Sequence, residues 1–405
     1  MCRVSGSEVS LPDEQDRVNR QAGTVLWVPS PESHDREVPA EATVPVLRPV
    51  QRTAAYAVVT DPNGAIVLVR ASVRSDLRGR WFLPGGGLRH GEHPRDAVLR
   101  ELAEETGLRA SRATPREATA DVIDLPHRGV SVHTLRLIYD VRFGDLLPDP
   151  EGTPVPGPAT ALRPEADGTS DLARFVGRDE LADLPLMPFV AELLGLPAPM
   201  PVRPTAPDRP EPLGAQDATQ VEDQDEIQVE VVDEPVNEAE VPIQVQRPAA
   251  YAVLIDETPD PVTGRRMLLT RLSGSRTAGR KGTWTLPGGG IDHGEHPLVA
   301  LEREVYEETG LPYTVGPLLD IGSRHFIGRS PNGRLEDFHG LRLVYSGSVP
   351  VDVEPRVIEV DGSTDEAAWI PVADLGRINT VPAVRESFGL WNDSRGRAPG
   401  PPGHR

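Results

Sequence analysis

Glu101, Glu104 and Glu105 are the residues of this chain whose type and spacing best suit chemistry, and they recur as Glu304, Glu307 and Glu308. The first set lies in GGLRHGEHPRDAVLRELAEETGL, residues 86–108, the second in GGIDHGEHPLVALEREVYEETGL, residues 289–311. A helix begun at Pro94, where a missing N–H costs nothing, runs to Thr106 and stops at Gly107, suited to a left-handed C-terminal position. At about 100° per residue the three glutamates share one face within about 100°. Val98 and Leu102, matched by Leu301 and Val305, form a neighbouring apolar stripe. Like charges at i and i+4 cost a few tenths of a kcal/mol, and carboxylates late in a helix oppose its dipole. Arg100, four residues before Glu104, relieves only part of this. A hard divalent cation relieves the rest, and an all-oxygen donor set suits Mg²⁺ or Mn²⁺ rather than zinc. Gly85, Gly86 and Gly87 let backbone approach a metal or phosphate closely, with Glu92 entering the same region. A solvated acidic surface helix is the bland alternative, and identical spacing in two copies argues against it.

The repeat extends into the elements that must position these residues. QRTAAYAVV at 51–59 recurs as QRPAAYAVL at 246–254, WFLPGG at 81–86 as WTLPGG at 284–289, and DGTSD at 167–171 as DGSTD at 361–365. Copy two carries extra residues around 256–266 and copy one around 147–164, both read as loop insertions. In copy one, residues 55–69 read as strand, turn and strand around Asp61-Pro62-Asn63-Gly64, 132–143 and 172–176 as strands, and 178–194 as leading into a helix. In copy two, 267–270, 341–348 and 367–370 read as strands, with a short helix near Val372. Strands with two helices per unit predict an α/β protein in which helices cover a sheet.

The chain has 405 residues, room for two domains and linkers. The expected organisation is a disordered segment at 1–45, a domain at 46–197, a Pro-rich then acidic linker at 198–245, a domain at 246–391 and a disordered tail at 392–405. Residues 211–240 hold no basic residue. The Gln-Val-Glu-Val-Val run within the linker is read as tether rather than edge strand. A net charge of −20, with Lys281 the only lysine, disfavours binding to a nucleic-acid polymer. The single cysteine, Cys2, forms no internal disulfide or Cys-based zinc cluster. With no signal-peptide core and no membrane span, a soluble cytoplasmic protein is expected.

The two acidic segments resemble the Nudix box, and the chain is identified as a tandem member of the Nudix hydrolase family. The resemblance implies two α/β/α sandwiches with mixed sheets, joined by the linker. It implies Mg²⁺- or Mn²⁺-dependent hydrolysis of a nucleoside diphosphate linked to another moiety: a nucleotide sugar, an ADP-ribose-like compound or a damaged nucleoside triphosphate. Carried over by position, Glu101, Glu104, Glu105 and the Gly86 carbonyl hold metal, as do Glu304, Glu307, Glu308 and Gly289. Arg100 and Arg303 orient a box glutamate, Glu92 and Glu295 stand in the outer shell, and Glu101 and Glu304 are the general bases. Glu336 or Asp337 could serve as a base from a loop in copy two, though a loop acid is more often solvated. Tyr56, Trp81, Tyr251 and Trp284 are candidates to stack on a base, although single aromatics at strand positions are more often core. His90/His93 and His293/His296 could be metal pairs, with exposed loop histidines the preferred reading. The partner expected is a small nucleotide, and the two domains could pair within the chain. The competing class is a nucleotide sensor with one domain regulatory or structural. A transcription regulator would need a basic DNA-reading segment, which is absent.

Overall fold

The computed structural model describes residues 46–148, 155, 162–164, 168–197, 230–231, 241–260, 264–273, 281–330, 332–360 and 362–395. The expected disordered N-terminal segment, most of the expected linker and the last ten residues of the tail lie outside them, as does most of the insertion at 147–164.

The first half contains β1 (Arg48–Thr60), β2 (Ile66–Ala71), β3 (Trp81–Phe82), β4 (Gly85–Gly87), α1 (Pro94–Thr106), β5 (Arg109–Ala110), β6 (Thr114–Leu125), β7 (Val130–Arg142), β8 (Leu146–Leu147), β9 (Ser170–Val176) and α2 (Pro188–Leu193). The second half adds β10 (Glu230–Val231), β11 (Ile243–Asp260), β12 (Gly264–Leu272), β13 (Trp284–Thr285), β14 (Gly288–Gly290), α3 (Pro297–Thr309), β15 (Thr314–Arg329), β16 (Leu335–Ser348), β17 (Thr364–Pro371) and α4 (Pro382–Arg395).

Each half is built on a mixed sheet. The first runs β3-β2-β1-β7-β6, with β4 on β1 and β9 on β2; the second runs β10-β15-β16-β11-β12-β13, with β14 on β11 and β17 on β12. The central pair is parallel in both, Tyr56 opposite Ile138 and Tyr251 opposite Val344. Such a pair is covered on both faces, so its strands read as unbroken apolar runs. In β1, Ala55, Ala57 and Val59 face α1, whereas Ala54, Tyr56 and Val58 face the α2 side. The result is a helix on either face of each sheet, an α/β/α sandwich. Val98 and Leu102 on α1 and Leu301 and Val305 on α3 are fully buried in one apolar cluster that includes side chains of both halves. A fully buried leucine contributes about 2 kcal/mol.

Helix α1 has the expected limits. Pro94 opens it, His93 caps it by accepting from the Arg95 N–H at 3.1 Å, and Gly107 ends it at φ 73°. Helix α3 repeats this with His296, Pro297 and Gly310.

Other expectations change. The insertion around 256–266 is no loop: it lengthens the β11–β12 hairpin, which pairs out to Asp260 opposite Gly264. Glu230 and Val231, expected in a tether, pair with Arg329 and Gly328 as a short antiparallel edge strand. They cover part of the outer edge of β15, whose backbone groups would otherwise lack a strand partner there. Residues 392–395, expected in the tail, complete α4, where Trp391 is buried. In copy one, 178–194 holds a 3-10 turn at Leu181–Asp183 and only six residues of α-helix. In copy two, the turn at Val372–Asp374 is 3-10, and the principal helix, α4, follows it.

Candidate active site

The acidic face of α1 lies against the Gly85–Gly87 strand, and a guanidinium organises it. Arg100 donates from Nε and Nη2 to the two oxygens of Glu92 at 2.7 and 2.8 Å. Its Nη1 reaches Glu101 Oε1 at 2.6 Å and Glu104 Oε2 at 3.0 Å, and Nη2 also reaches the Gly87 carbonyl at 3.2 Å. Arg303 repeats every contact, to Glu295, Glu304, Glu307 and the Gly290 carbonyl. A planar fork meets paired carboxylates in this way; a lysine could not. The sequence pairs Arg100 only with Glu104, whereas folding also brings Glu92 from the preceding loop. Burial alone would raise the Glu92 carboxyl, but the bonds from Arg100 overcome it and hold it below the usual range.

Glu101 packs where a side chain at position 86 would stand. A Cβ on Gly86 would fall 2.7 Å from the Glu101 carboxyl carbon, and one on Gly289 2.5 Å from Glu304 Oε2. Burial pushes Glu101 up, against the pull of Arg100, and Glu104 adds to the rise. Glu105 is pushed up to about 7, first by burial and then, against bonds from Ser170 and Gly85, by the charges of Glu101 and Glu104. It accepts from the Gly85 N–H at 2.9 Å and the Ser170 hydroxyl at 2.5 Å. Glu308, 2% exposed, accepts from the Gly288 N–H at 2.9 Å and from Thr364 and Thr270 at 2.5 and 3.4 Å. Crowded, part-buried carboxylates whose charged form is disfavoured are relieved by a cation. Carboxylate oxygens beside a side-chain-free backbone therefore fit a hard divalent ion.

Arg52 received no role from the sequence, yet its guanidinium stands 3.2 Å from where a Cβ on Gly87 would be, and its charge acts on Glu101. Ser170 and Thr364 likewise hold the deepest carboxylates. The signal for all three was their recurrence in the QR and DG(T/S)(S/T)D segments, visible in the sequence but not linked to the helix.

The aromatic candidates divide. Tyr56 and Trp81 are 6% and 5% exposed in the α2-side core, Tyr56 against Phe189 at 5.1 Å between ring centroids. Their faces are covered by packing, so they do not offer a stacking surface. Tyr251 and Trp284 are half-buried at the edge of the α4-side core. The four histidines are not exposed loop residues. His93 and His296 are helix caps, the His90 side chain is 9% exposed, and His293 stands against His133 at 5.4 Å. Glu336 and Asp337 lie on β16 rather than in a loop; Glu336 is fully buried beside Arg334 and Asp337 is paired with histidine. Among the described residues no helix is long and apolar enough to cross a membrane.

Comparison with known proteins bears on the family of the chain. A model of the NUDIX domain matches residues 50–194 and again 245–390. An RNA pyrophosphohydrolase of Mesorhizobium japonicum is 33% identical over 125 residues, covering 28% of this chain and 70% of its own length. An 8-oxo-dGTP diphosphatase of Proteus vulgaris is 32% identical over 78 residues, 19% of this chain and 68% of the relative. A solved MutT Nudix hydrolase from Burkholderia pseudomallei is 26% identical, covering 36% of this chain and 97% of its own, with a TM-score of 0.28. With two matched domains, each carrying the arginine-forked carboxylate cluster, the chain belongs to the Nudix hydrolase family, enzymes acting on phosphorus-containing anhydrides.

Proposed function

We propose that this chain is a divalent-metal-dependent diphosphatase with two catalytic centres. Its substrates are nucleoside diphosphates linked to a further group: a nucleotide sugar, an ADP-ribose-like compound or a damaged nucleoside triphosphate. The products are a nucleoside monophosphate and a phosphorylated remainder, or pyrophosphate. One observation carries the reading: both halves hold the same fork of arginine, two box carboxylates and a loop glutamate, atom for atom. The relatives named above are, by name, an RNA pyrophosphohydrolase and an 8-oxo-dGTP diphosphatase.

Glu101, Glu104, Glu105 and the Gly86 carbonyl would hold Mg²⁺ or Mn²⁺ in the first centre, and Glu304, Glu307, Glu308 and Gly289 in the second. Such an ion, when bound, neutralises diphosphate charge and acidifies water. The chain's own residues supply the rest. Arg100 fixes the rotamers of Glu92, Glu101 and Glu104, so the carboxylates need no reorganisation when substrate arrives. Glu101, held against Gly86, takes the proton of the attacking water as its oxygen bonds phosphorus and the bridging P–O bond breaks. Glu304 does the same beside Gly289. Tyr251 and Trp284 remain candidates to contact the nucleobase in the second half.

A phosphate-release screen over a nucleotide panel with Mg²⁺, with phosphatase added to reveal monophosphates, tests the reading. Wild type is compared with Glu105→Gln, Glu308→Gln and the double variant. Loss of distinct substrates in each single variant supports two enzymes in one chain. Loss of everything in one variant makes the other domain structural or regulatory. A wild type inactive across the panel, yet binding nucleotide by calorimetry, overturns the enzyme reading in favour of a sensor.

A further inference from the structure

The Nudix loop of the first half touches the sheet of the second at a group of metal-type donors. His90, two residues before Glu92, meets His325 on β15 and Asp337 on β16, and one donor atom from each lies within 4.8 Å of the others. His90 Nε2 is 3.3 Å and His325 Nε2 2.5 Å from the same Asp337 oxygen. Two imidazoles and one carboxylate are a borderline donor set, suited to Zn²⁺ and unlike the all-oxygen boxes.

Three further observations point to a ligand. The His90 side chain is more than nine-tenths buried, and the one partner of its Nε2 among the described residues is the Asp337 carboxylate, 3.3 Å away and longer than a good hydrogen bond. Its separation from Asp337 matches the edge of a tetrahedron of ligands about 2.05 Å from a metal, about 3.3 Å. The closer His325–Asp337 contact must open by roughly 0.8 Å to reach the same edge. His325, whose side chain is 42% exposed, has room to do so.

The second observation is the close approach that makes the cluster. Gly91, at φ 76°, lies over the His325 ring, where a Cβ would fall 2.9 Å from Nδ1. Only glycine lets the loop descend this far.

The third is an internal control. The halves face one another reciprocally, so the Nudix loop of the second half meets the sheet of the first at the matching place. Pairing register aligns His133 with His339, since they lie opposite Gln51 and Gln246. It also aligns Val122 with His325 and Ser131 with Asp337. Gly294 lies over Val122 as Gly91 lies over His325. Duplication accounts for His90, His293, His133 and His339, which both sides share. It does not account for His325 and Asp337, which only one side carries and which complete the donor set.

We propose that His90, His325 and Asp337 form a zinc-class metal site that clasps the Nudix loop of the first half to the sheet of the second, with a fourth position open to water. This proposal does not rest on the diphosphatase reading, because its donors are separate from the box carboxylates. An ion bound by both halves adds its binding free energy to the stability of the folded chain.

The test is Co²⁺ titration of the metal-stripped full-length protein, with Mg²⁺ in large excess to occupy the boxes. The expected result is one equivalent of Co²⁺ per chain with the intense absorption of a tetrahedral nitrogen/oxygen site. His325→Gln and Asp337→Asn should weaken it at least tenfold, while His293→Gln leaves it unchanged. One equivalent of Zn²⁺ should raise the Tm of wild type and not of either ligand variant. No tetrahedral absorption in wild type, or absorption that survives both ligand substitutions, overturns the proposal. Because His325 is solvent-facing, its variant keeps the test decisive should Asp337→Asn fold poorly.

Discussion

The two halves have the same catalytic geometry and differ where they touch. Arg100 and Arg303 make the same five classes of contact, and Glu105 and Glu308 are both anchored by a glycine N–H and a hydroxyl. Away from the box, the first half meets the second's loop with Val122 and carries Ser131 where the second carries Asp337, while the second meets the first's loop with His325 and Asp337. A cluster of repelling carboxylates works only when every member is placed, so its parts change together or not at all. A contact surface tolerates one-sided change because van der Waals packing and polar pairing can each hold it. The difference teaches that geometry shared by both copies reports the chemistry, and geometry found in one copy reports what that copy alone acquired.

The largest expected effect breaks the equivalence of the centres. Glu105→Gln and Glu308→Gln keep shape but remove charge, and each should lower kcat at its own centre by about 10³-fold. Steady-state assays on separated substrates check this; a variant that leaves both activities intact shows that its carboxylate is not needed. Arg100→Met comes next. It leaves Glu92, Glu101 and Glu104 part-buried without their partner, at a cost of about 3 kcal/mol in stability, read by urea denaturation. Arg303 is more exposed, 31% against 17%, so Arg303→Met should cost less.

The loop contact sharpens the comparison further through pH. Burial and then the facing His293 push His133 down to about 4, with Asp121 and Arg136 also close by. Its folded value lies below its unfolded one, near 6.5, so the unfolded chain binds more protons between them. Stability is intact above about 6.5 and lost as pH falls toward 4, by about 3 kcal/mol. Denaturation midpoints across that window should show His133→Gln with a shallower acid slope than wild type. The smallest effect separates the two glycines. Both have positive φ, so an alanine strains either by about 1 kcal/mol. Gly91→Ala also collides with His325, whereas a Cβ at Gly294 meets Val122 at an ordinary 3.7 Å. Gly91→Ala should therefore lower Tm further; equal shifts would mean that the two loop contacts are equally tight.

Much of the site was legible because it is local. Pro94, the glutamate spacing and Gly107 fix helix, face and stop within one segment, and the same signals set α3. Helix capping by His93 and His296 was hidden, since an imidazole resembles a free loop side chain until its Nδ1 meets an amide. The strands β6 and β15 were not anticipated: TPREATADVIDL has charged residues on both parities, and TVGPLLDIGSRHFIGR holds glycine and proline. Their extended form comes from pairing with β7 and β16, which supply the hydrogen bonds that their own composition does not select. For Tyr56 and Trp81 core packing is what the structure shows, because a tyrosine or tryptophan on a doubly covered strand looks, in sequence, like one at a pocket edge.

The sequence by itself determined that two copies of one acidic helix exist, which residues share its face and which cation chemistry they suit. These follow from 3.6-residue periodicity, from local stop signals and from the repulsion of like charges. Only the tertiary structure decided that Glu92 joins the cluster through Arg100, that Ser170 and Thr364 anchor its deepest carboxylates, and that His90 meets His325 and Asp337. The Glu92–Arg100 contact spans eight residues and depends on how the loop turns onto the helix; the others close long stretches of chain, and their partners are selected by packing of the whole sheet.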